Sequence, residues 1–143
     1  MEVLILWGLL LMKLNDQFIS ELTLQDFAVG NDAVFLPDFD ASFNLLFKNK
    51  VYTTDEVAYC ELFDRPLLRF ASTWAAKEAV YKAVKQLIPK RLGFRNIKIT
   101  RSKIGGVPTV NLPPDFGDLK ISLSITHDGD YAWAIAIARR KYD

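Results

Sequence analysis

A long helix is encoded by the stretch Phe70-Ala-Ser-Thr-Trp-Ala-Ala-Lys-Glu-Ala-Val-Tyr-Lys-Ala-Val-Lys85. Strong helix formers fill it, and neither Gly nor Pro interrupts it before Pro89. At helical spacing, one side is apolar and rich in alanine, which allows close packing on a sheet. That side carries Ala76, Ala79, Val80, Ala83, Val84 and Leu87. We therefore expect a central helix on which the rest of the chain packs.

The other side of this helix is polar and aromatic, with Trp74, Glu78, Tyr81, Lys82 and Lys85. Glu78 and Lys82 are four residues apart and therefore neighbours on the helix surface, and Lys77 flanks them. A carboxylate among lysines is suited to bind a metal ion and a phosphate together. The alternative is a solvated ion pair on an ordinary amphipathic helix, and such pairs are common and weak.

Composition favours one compact domain. The chain has 143 residues, half of them hydrophobic, and a net charge of +1, which argues against a disordered or a generally DNA-binding protein. Cys60 is the only cysteine, so no internal disulfide can form, and a single histidine excludes a Cys/His metal cluster. The expected location is cytoplasmic.

Charge is unevenly distributed along the chain. Residues 82–103 contain only basic charges: Lys82, Lys85, Lys90, Arg91, Arg95, Lys98, Arg101 and Lys103. Residues 26–64 contain eight acidic residues against two lysines. The basic segment indicates an anionic partner, such as a phosphorylated ligand or an acidic protein, unless the acidic half balances it in the folded chain.

The N-terminal segment Val3–Met12 is apolar apart from Gly8. It is too short to span a bilayer and lacks the basic start of a signal peptide, so no membrane role is expected. Three interpretations are open: a buried strand or helix, an oligomer contact, or an upstream extension of the reading frame with Met12 as the native start. Residues 14–24 form either a short amphipathic helix or an irregular arm.

Before the central helix, Phe27–Phe35 is predicted to be a strand that carries Asp32 in an apolar setting, where a carboxylate needs a partner or a metal ion. The alternative is an Asx-turn after Gly30. Helices are expected from Phe39 to Phe47 and, with Thr54 as N-cap, up to Phe63. Asp64 and Pro66 then begin the central helix.

After the central helix, strand patterns cover residues 94–100, 107–112, 121–126 and 131–138. The last two strands are joined by His127-Asp128-Gly129-Asp130, a hairpin signal. The final strand alternates large apolar residues with alanines, which suits packing against the alanine-rich helix. The predicted class is α+β, with an antiparallel sheet packed on a long central helix. His127 is either a turn residue or a ligand contact at a strand end.

Three segments together resemble the motifs of the 4′-phosphopantetheinyl transferases. They are Gly30-Asn-Asp-Ala-Val34, Trp74-Ala-Ala-Lys-Glu-Ala-Val-Tyr-Lys-Ala83 and Ser122-Leu-Ser-Ile-Thr-His-Asp128. The helix motif is the most specific, and order and spacing are most similar to the short holo-[acyl-carrier-protein] synthase group. The resemblance covers about Val29–Ala138, and residues 1–28 lie outside it. We expect one phosphopantetheinyl transferase domain of residues 1–143, with residues 1–28 as its N-terminal extension.

The resemblance implies transfer of 4′-phosphopantetheine from coenzyme A to a serine of an apo acyl or peptidyl carrier protein, with Mg²⁺ as cofactor and adenosine 3′,5′-bisphosphate as by-product. Asp32 and Glu78 would be the metal ligands and, with Lys82, the catalytic residues. The residues expected to contact coenzyme A are Lys77, Lys82, His127, Thr126, Gly106 and Pro108. Lys77 would support Lys82 or hold the helix. The serine proton would go to Glu78 or to a metal-bound water.

The chain departs from the family pattern at several positions. Phe35 replaces a common acidic residue, and Thr73 replaces a common arginine whose contact Arg69 could supply. Thr126 replaces a serine before the histidine. The helix that normally docks the acidic carrier is basic in the family, whereas here it carries Asp38, Asp40, Phe43 and Phe47.

The resemblance also implies assembly as a homotrimer with sites between subunits. We expect neither a nucleic-acid partner nor a membrane partner. The pathway, fatty acid or polyketide, is not specified. One alternative is a catalytically idle family member that acts as a carrier-binding or structural module. Another is a nucleic-acid binder that uses the basic segment together with Phe94.

Overall fold

The architecture is known from a computed structural model that describes residues 2–23, 26–102 and 104–141, with the side chains of residues 14–23 left aside. The helices are α1 (Glu2–Thr23), α2 (Leu36–Ser42), α3 (Leu45–Val51), α4 (Thr54–Glu61) and α5 (Pro66–Leu87). The strands are β1 (Phe27–Phe35), β2 (Lys98–Thr100), β3 (Thr109–Asn111), β4 (Leu119–Asp128) and β5 (Tyr131–Arg140). The predicted α+β class is confirmed. The single-domain assignment stays a prediction.

The main sheet has three antiparallel strands in the order β1-β5-β4, and β2 pairs with β3 in a second, two-stranded sheet. Strand β5 is central, so that Asp32 of β1 and Ile125 of β4 both pair with Ala134. Gly129, with φ +54°, makes the tight turn of the β4–β5 hairpin, as the Asp-Gly pair predicts.

Helix α5 packs across one face of this sheet through small residues on both sides of the contact. The alanines at 132, 134, 136 and 138 of β5 are buried, as are Ala76, Ala79 and Ala83 of the helix. A Cβ atom on Gly30 of β1 would lie 2.0 Å from the Ala79 carbonyl oxygen, so only glycine permits this approach. The alternation predicted for β5 is therefore confirmed.

The bounds of several predicted elements differ from those observed: the strands predicted at 107–112, 121–126 and 131–138 are β3, β4 and β5, and three further elements differ as follows. The helix expected from Phe39 to Phe47 is two short helices, because Phe43 is extended and the Asn44 side chain caps α3 by accepting from the Phe47 amide at 2.9 Å. Thr53, not Thr54, caps α4, which ends at Glu61. The strand expected over residues 94–100 begins with a 3₁₀ turn and is extended only from Lys98.

The N-terminal segment forms one helix, and the side chains of Val3–Met12 other than Gly8 are 47–77% exposed. The prediction of a buried element is therefore wrong, while the oligomer contact and the upstream extension stay predictions. Among the described residues, no helix combines the length and apolarity needed to cross a bilayer.

Candidate active site

Asp32 lies in the middle of β1, so the Asx-turn alternative is wrong. Its side chain is on the face of the sheet that carries α5, because residues two apart on a strand share a face and Ala28, Gly30 and Val34 are buried there. The side chain is 14% exposed. A carboxylate in this position is partly withdrawn from water but still open to a ligand.

Lys82 of α5 reaches across to β1. Its Nζ donates to Asp32 Oδ1 at 2.7 Å and to the Asn31 carbonyl oxygen at 3.1 Å. Gln86, one turn later, donates to the Val29 carbonyl oxygen at 2.8 Å. The hydrogen bond to Asp32 is the main reason that the pKa of Lys82 is raised. These contacts bring the helix motif and the strand motif into one site.

Glu78, one turn before Lys82, completes a cluster of two carboxylates and one ammonium group. Burial is the main reason that its pKa is raised, and the negative charge of Asp32 adds to this, while Lys82 lowers it. Two carboxylates held close together repel each other, and a cation between them would relieve the repulsion. The described residues contain no group of three or more His, Cys, Asp or Glu side chains able to hold a metal ion.

Lys77 lies apart from this cluster, inside the protein. It is fully buried, with its Nζ 2.8 Å from Glu56 Oε1 and donating to the carbonyl oxygens of Phe94 at 3.0 Å and Ile97 at 2.7 Å. Burial lowers the pKa of Lys77, and Glu56 opposes that effect. Of the two roles predicted for Lys77, this geometry fits holding the helix in place, and the contact with coenzyme A stays a prediction.

Glu56, the ion-pair partner of Lys77, was not predicted from the sequence. It accepts from the Thr53 amide at 2.8 Å in a capping box and from the Ile99 amide at 2.9 Å. The Thr-x-x-Glu spacing at the start of α4 marks the capping box, but it does not mark the ion pair with Lys77. Because Lys77 also binds Glu56, one buried ion pair ties α4 and α5 to β2.

His127, Gly106 and Pro108 line one cavity of about 170 Å³, together with Arg69 and Arg101. Three of the predicted ligand contacts are thus together. Thr126 is not with them, since it pairs with Trp133 on the opposite, exposed face of the sheet, whereas His127 pairs with buried Ala132.

A hydrogen bond to Thr73 holds the Arg101 side chain in place. Thr73 is buried, and its Oγ1 accepts a hydrogen bond from an Arg101 amino group while donating to the Arg69 carbonyl oxygen at 2.9 Å. The Arg101 guanidinium also lies 4.6 Å from the centre of the Tyr59 ring. Burial lowers the pKa of Arg101, and the charge of Arg69 adds to this. In the sequence Arg101 was only one cation of the basic segment, and no local pattern marks its contact with Thr73.

The acidic cluster and the His127 cavity lie on opposite sides of α5. Arg69 and Glu78 are nine residues apart, which at about 100° per residue points their side chains in opposite directions. Asp32 and His127 are on the two outer strands of the sheet, with β5 between them. The two halves of the predicted site therefore lie apart within one chain.

The segment expected to dock a carrier protein presents acids and leucines to solvent. Asp38 and Asp40 of α2 are exposed, as are Leu45 and Leu46 of α3, at 72% and 76%. The aromatic side chains predicted for this surface, Phe43 and Phe47, instead pack inward among Phe39, Tyr52, Phe70 and Trp74. Phe35 lies on the exposed face of the sheet, its ring centre 5.1 Å from that of Tyr131.

Comparison with known proteins finds similar chains among the holo-[acyl-carrier-protein] synthases. The holo-[acyl-carrier-protein] synthase of Chlamydia felis is 40% identical over 94 residues, which are 63% of this chain and 75% of that protein. The same enzyme of Chlamydia muridarum is 34% identical over 119 residues, 78% of this chain and 94% of that protein.

Solved structures show the same fold. The ACPS–CoA complex of Chronobacterium ammoniagenes matches with a TM-score of 0.68 at 28% identity, covering 82% of this chain and 100% of that one. The Helicobacter pylori synthase in complex with coenzyme A matches with a TM-score of 0.66 at 28% identity, covering 77% and 98%. A family model described as the 4′-phosphopantetheinyl transferase superfamily matches residues 28–136, and the chain belongs to that superfamily.

Proposed function

We propose that this protein transfers 4′-phosphopantetheine from coenzyme A to a serine of an apo acyl or peptidyl carrier protein in the cytoplasm, in a Mg²⁺-dependent reaction that releases adenosine 3′,5′-bisphosphate. The single observation that carries the proposal is the cluster of Asp32, Glu78 and Lys82, formed by two motifs that lie far apart in the sequence. The bond that breaks is a pyrophosphate bond, so catalysis depends on positioning and on neutralising charge on phosphate oxygens.

Asp32 and Glu78 are the residues that would hold Mg²⁺. The donor set fits this ion, because Mg²⁺ is usually bound by one or two carboxylates together with waters and substrate phosphates. Asp32 is partly exposed, and the charge of Asp32 helps to raise the pKa of Glu78. When bound, the ion would neutralise negative charge on the pyrophosphate.

Lys82 is the residue that would bind a phosphate oxygen of coenzyme A. Its side chain is 48% exposed, and because Asp32 and Asn31 engage two of its three N–H donors, one donor is left for a ligand. Glu78 is a candidate for accepting the proton of the carrier serine, since its raised pKa makes it a better base than an ordinary carboxylate.

The complete site would form between subunits of a homotrimer. Support comes from the separation of the two halves on opposite sides of α5, which lets His127 of one subunit face Asp32 and Glu78 of its neighbour. The outer face of the sheet supplies an apolar surface for such contacts. Its exposed residues, each 38–58% exposed, are Phe27, Val29, Phe35, Tyr131, Trp133, Ile135 and Ile137.

The carrier protein would approach α2 and α3, where Leu45 and Leu46 offer apolar contacts beside the acidic residues Asp38 and Asp40. Lys48 and Lys50 of α3 balance these two acids, so the segment lacks the net positive charge expected of a surface that docks an acidic carrier. We therefore expect a carrier that docks mainly through apolar contacts, with a weak dependence of the rate on salt concentration.

Incubation with coenzyme A, Mg²⁺ and a panel of apo carrier proteins tests the function. Intact-mass spectrometry should show that a carrier gains one phosphopantetheine group, and only when Mg²⁺ is present. A catalytically idle family member is the second candidate, favoured by the replacement of the family's acidic residue with Phe35. Calorimetry separates the two, because an enzyme binds coenzyme A in a Mg²⁺-dependent manner, whereas an idle module need not.

A further inference from the structure

Helix α1 presents an apolar surface that the described part of its own chain leaves uncovered. The side chains of Val3–Met12 other than Gly8 are aliphatic or aromatic, contain the thioether of Met12, and are 47–77% exposed. A helix with so much apolar surface is normally buried against protein or lipid. The surface of α1 is therefore suited to contact a partner.

The sequence of α1 carries the spacing of a coiled coil. Apolar residues recur at alternate intervals of three and four residues, at Leu4, Trp7, Leu11, Leu14 and Phe18. Residues at this spacing drift by only about 20° per heptad, so they form one stripe along the helix. We call these five residues the α1 seam. Glu21 occupies the next position of the pattern, so the seam covers about two heptads.

The side of α1 opposite the seam carries charge. At about 100° per residue, Glu2, Lys13 and Asp16 lie on that side, together with Leu9. An apolar stripe opposite charged residues is typical of a helix that packs along another helix and keeps its far side in water. The seam is therefore the side of α1 that fits a helical partner.

A very short connection joins α1 to the outer face of the main sheet. The Arg140 amide donates to the Asp26 carbonyl oxygen at 3.1 Å, which fixes the chain immediately before β1. Only two residues separate Asp26 from the end of α1 at Thr23, so these two positions lie within about 11 Å of each other. Phe27, the next residue, is 58% exposed and begins the apolar outer face of the sheet.

We propose that α1 packs along its seam against α1 of two further copies of this chain, as a parallel three-helix coiled coil. The coiled coil continues the contact between the outer sheet faces. This inference rests on the proposed function, because it uses the homotrimer. A three-fold axis points all three copies of α1 in one direction, and the short connection keeps them at one end of that axis.

The connection also explains how so short a seam can pair. A coiled coil of about two heptads is marginal between separate peptides. In a trimer, however, each α1 is tethered beside its two copies, and short tethers give effective concentrations of about a millimolar. The coiled coil would in turn hold the trimer together at low protein concentration, where a site shared between subunits is otherwise lost.

A lipid surface fits α1 less well than a second copy. Helices that lie in a membrane interface are typically rich in Lys and Arg on their polar side. Helix α1 has three acidic residues, Glu2, Asp16 and Glu21, against the single Lys13, so anionic lipids would repel it. The charge of α1 therefore favours the protein partner.

Two matched substitutions test the seam. Leu11→Asp places a charge in the seam, whereas Leu9→Asp places the same charge on the opposite side, and the two leucines are similarly exposed at 57% and 51%. Sedimentation of the full chain over a concentration series gives the dissociation constant of the trimer. Leu11→Asp should raise the concentration at which the trimer dissociates by about 10-fold or more, and Leu9→Asp should leave it nearly unchanged.

Equal effects of the two substitutions, or no effect of either on a stable trimer, would overturn the coiled coil and leave the proposed function standing. An unmodified chain that stays monomeric throughout the series would contradict both the coiled coil and the homotrimer.

Cross-linking and vesicle flotation identify what covers the seam. Leu11→Cys should form covalent dimers under mild oxidation, whereas Leu9→Cys should not, and buried Cys60 does not compete. Absence of the Leu11→Cys cross-link in a verified trimer would overturn the proposal. The unmodified chain should not float with neutral or anionic lipid vesicles. Capture by either vesicle, lost in both Asp variants, would assign α1 to a lipid surface and overturn the proposal.

Discussion

Lys82 of α5 donates a hydrogen bond to Asp32 of β1 at 2.7 Å, although the two residues are 50 positions apart in the chain. This bond joins the strand motif and the helix motif into one cluster, with Glu78 one turn before Lys82. Each motif alone is also compatible with a structural role. Their contact is the geometric basis for assigning phosphoryl chemistry to this site.

Removing either carboxylate should nearly abolish transfer while leaving the fold intact. Glu78→Gln and Asp32→Asn keep the shape of each side chain but remove the charge that would hold Mg²⁺, and we expect a fall in kcat of about 100-fold or more. Phosphopantetheine transfer measured by intact mass checks this, with Asp118→Asn at an exposed position as the control. Near wild-type turnover of either variant at saturating Mg²⁺ would show that the metal assignment is wrong.

Lys82→Ala should weaken coenzyme A binding and turnover far more than Lys85→Ala. Lys82 lies against Asp32, whereas the Lys85 ammonium donates to the Lys90 carbonyl oxygen and lies 5.5 Å from the centre of the Tyr81 ring. Binding isotherms and steady-state rates of the two variants give the comparison. Equal losses would mean that the basic segment acts only as a diffuse positive field.

Lys77→Met should destabilise the protein by about 3–5 kcal/mol, because it leaves the buried Glu56 carboxylate without its cation. The matched control is Lys48→Met. Lys48 forms a 3.0 Å ion pair with Glu61, but these side chains are 25% and 54% exposed, and such a surface pair contributes about 0–1 kcal/mol. Urea denaturation measures both free energies of unfolding, and similar values for the two variants would refute the structural role of Lys77.

The parts of the fold that sequence predicted are those with strong local patterns. The span of β1, the start of α5 at Pro66 and the β4–β5 hairpin all follow from periodicity, Pro and Gly signals within a few residues. The break between α2 and α3 was missed, because the cap formed by Asn44 competes with a run of apolar residues that otherwise favours one helix.

The site was predictable where a motif marks it and not where a long-range contact forms it. Asp32, Glu78 and Lys82 were identified through motif spacing, and the structure brings them together. The Lys77–Glu56 ion pair and the Arg101–Thr73 hydrogen bond join residues 21 and 28 positions apart, and nothing local in the sequence specifies them. Thr126 was grouped with His127 by adjacency, but neighbouring residues on a strand point to opposite faces.

The central claim is that the acidic cluster and His127 act in one site although α5 separates them within a subunit. Purified Glu78→Gln and His127→Ala proteins, each strongly impaired alone, should be mixed under conditions in which subunit exchange is verified. Every mixed trimer would contain one intact interface, so random exchange of equal amounts should restore about one quarter of wild-type transfer. No recovery after verified exchange, or a monomer by light scattering at the working concentration, would contradict the shared site.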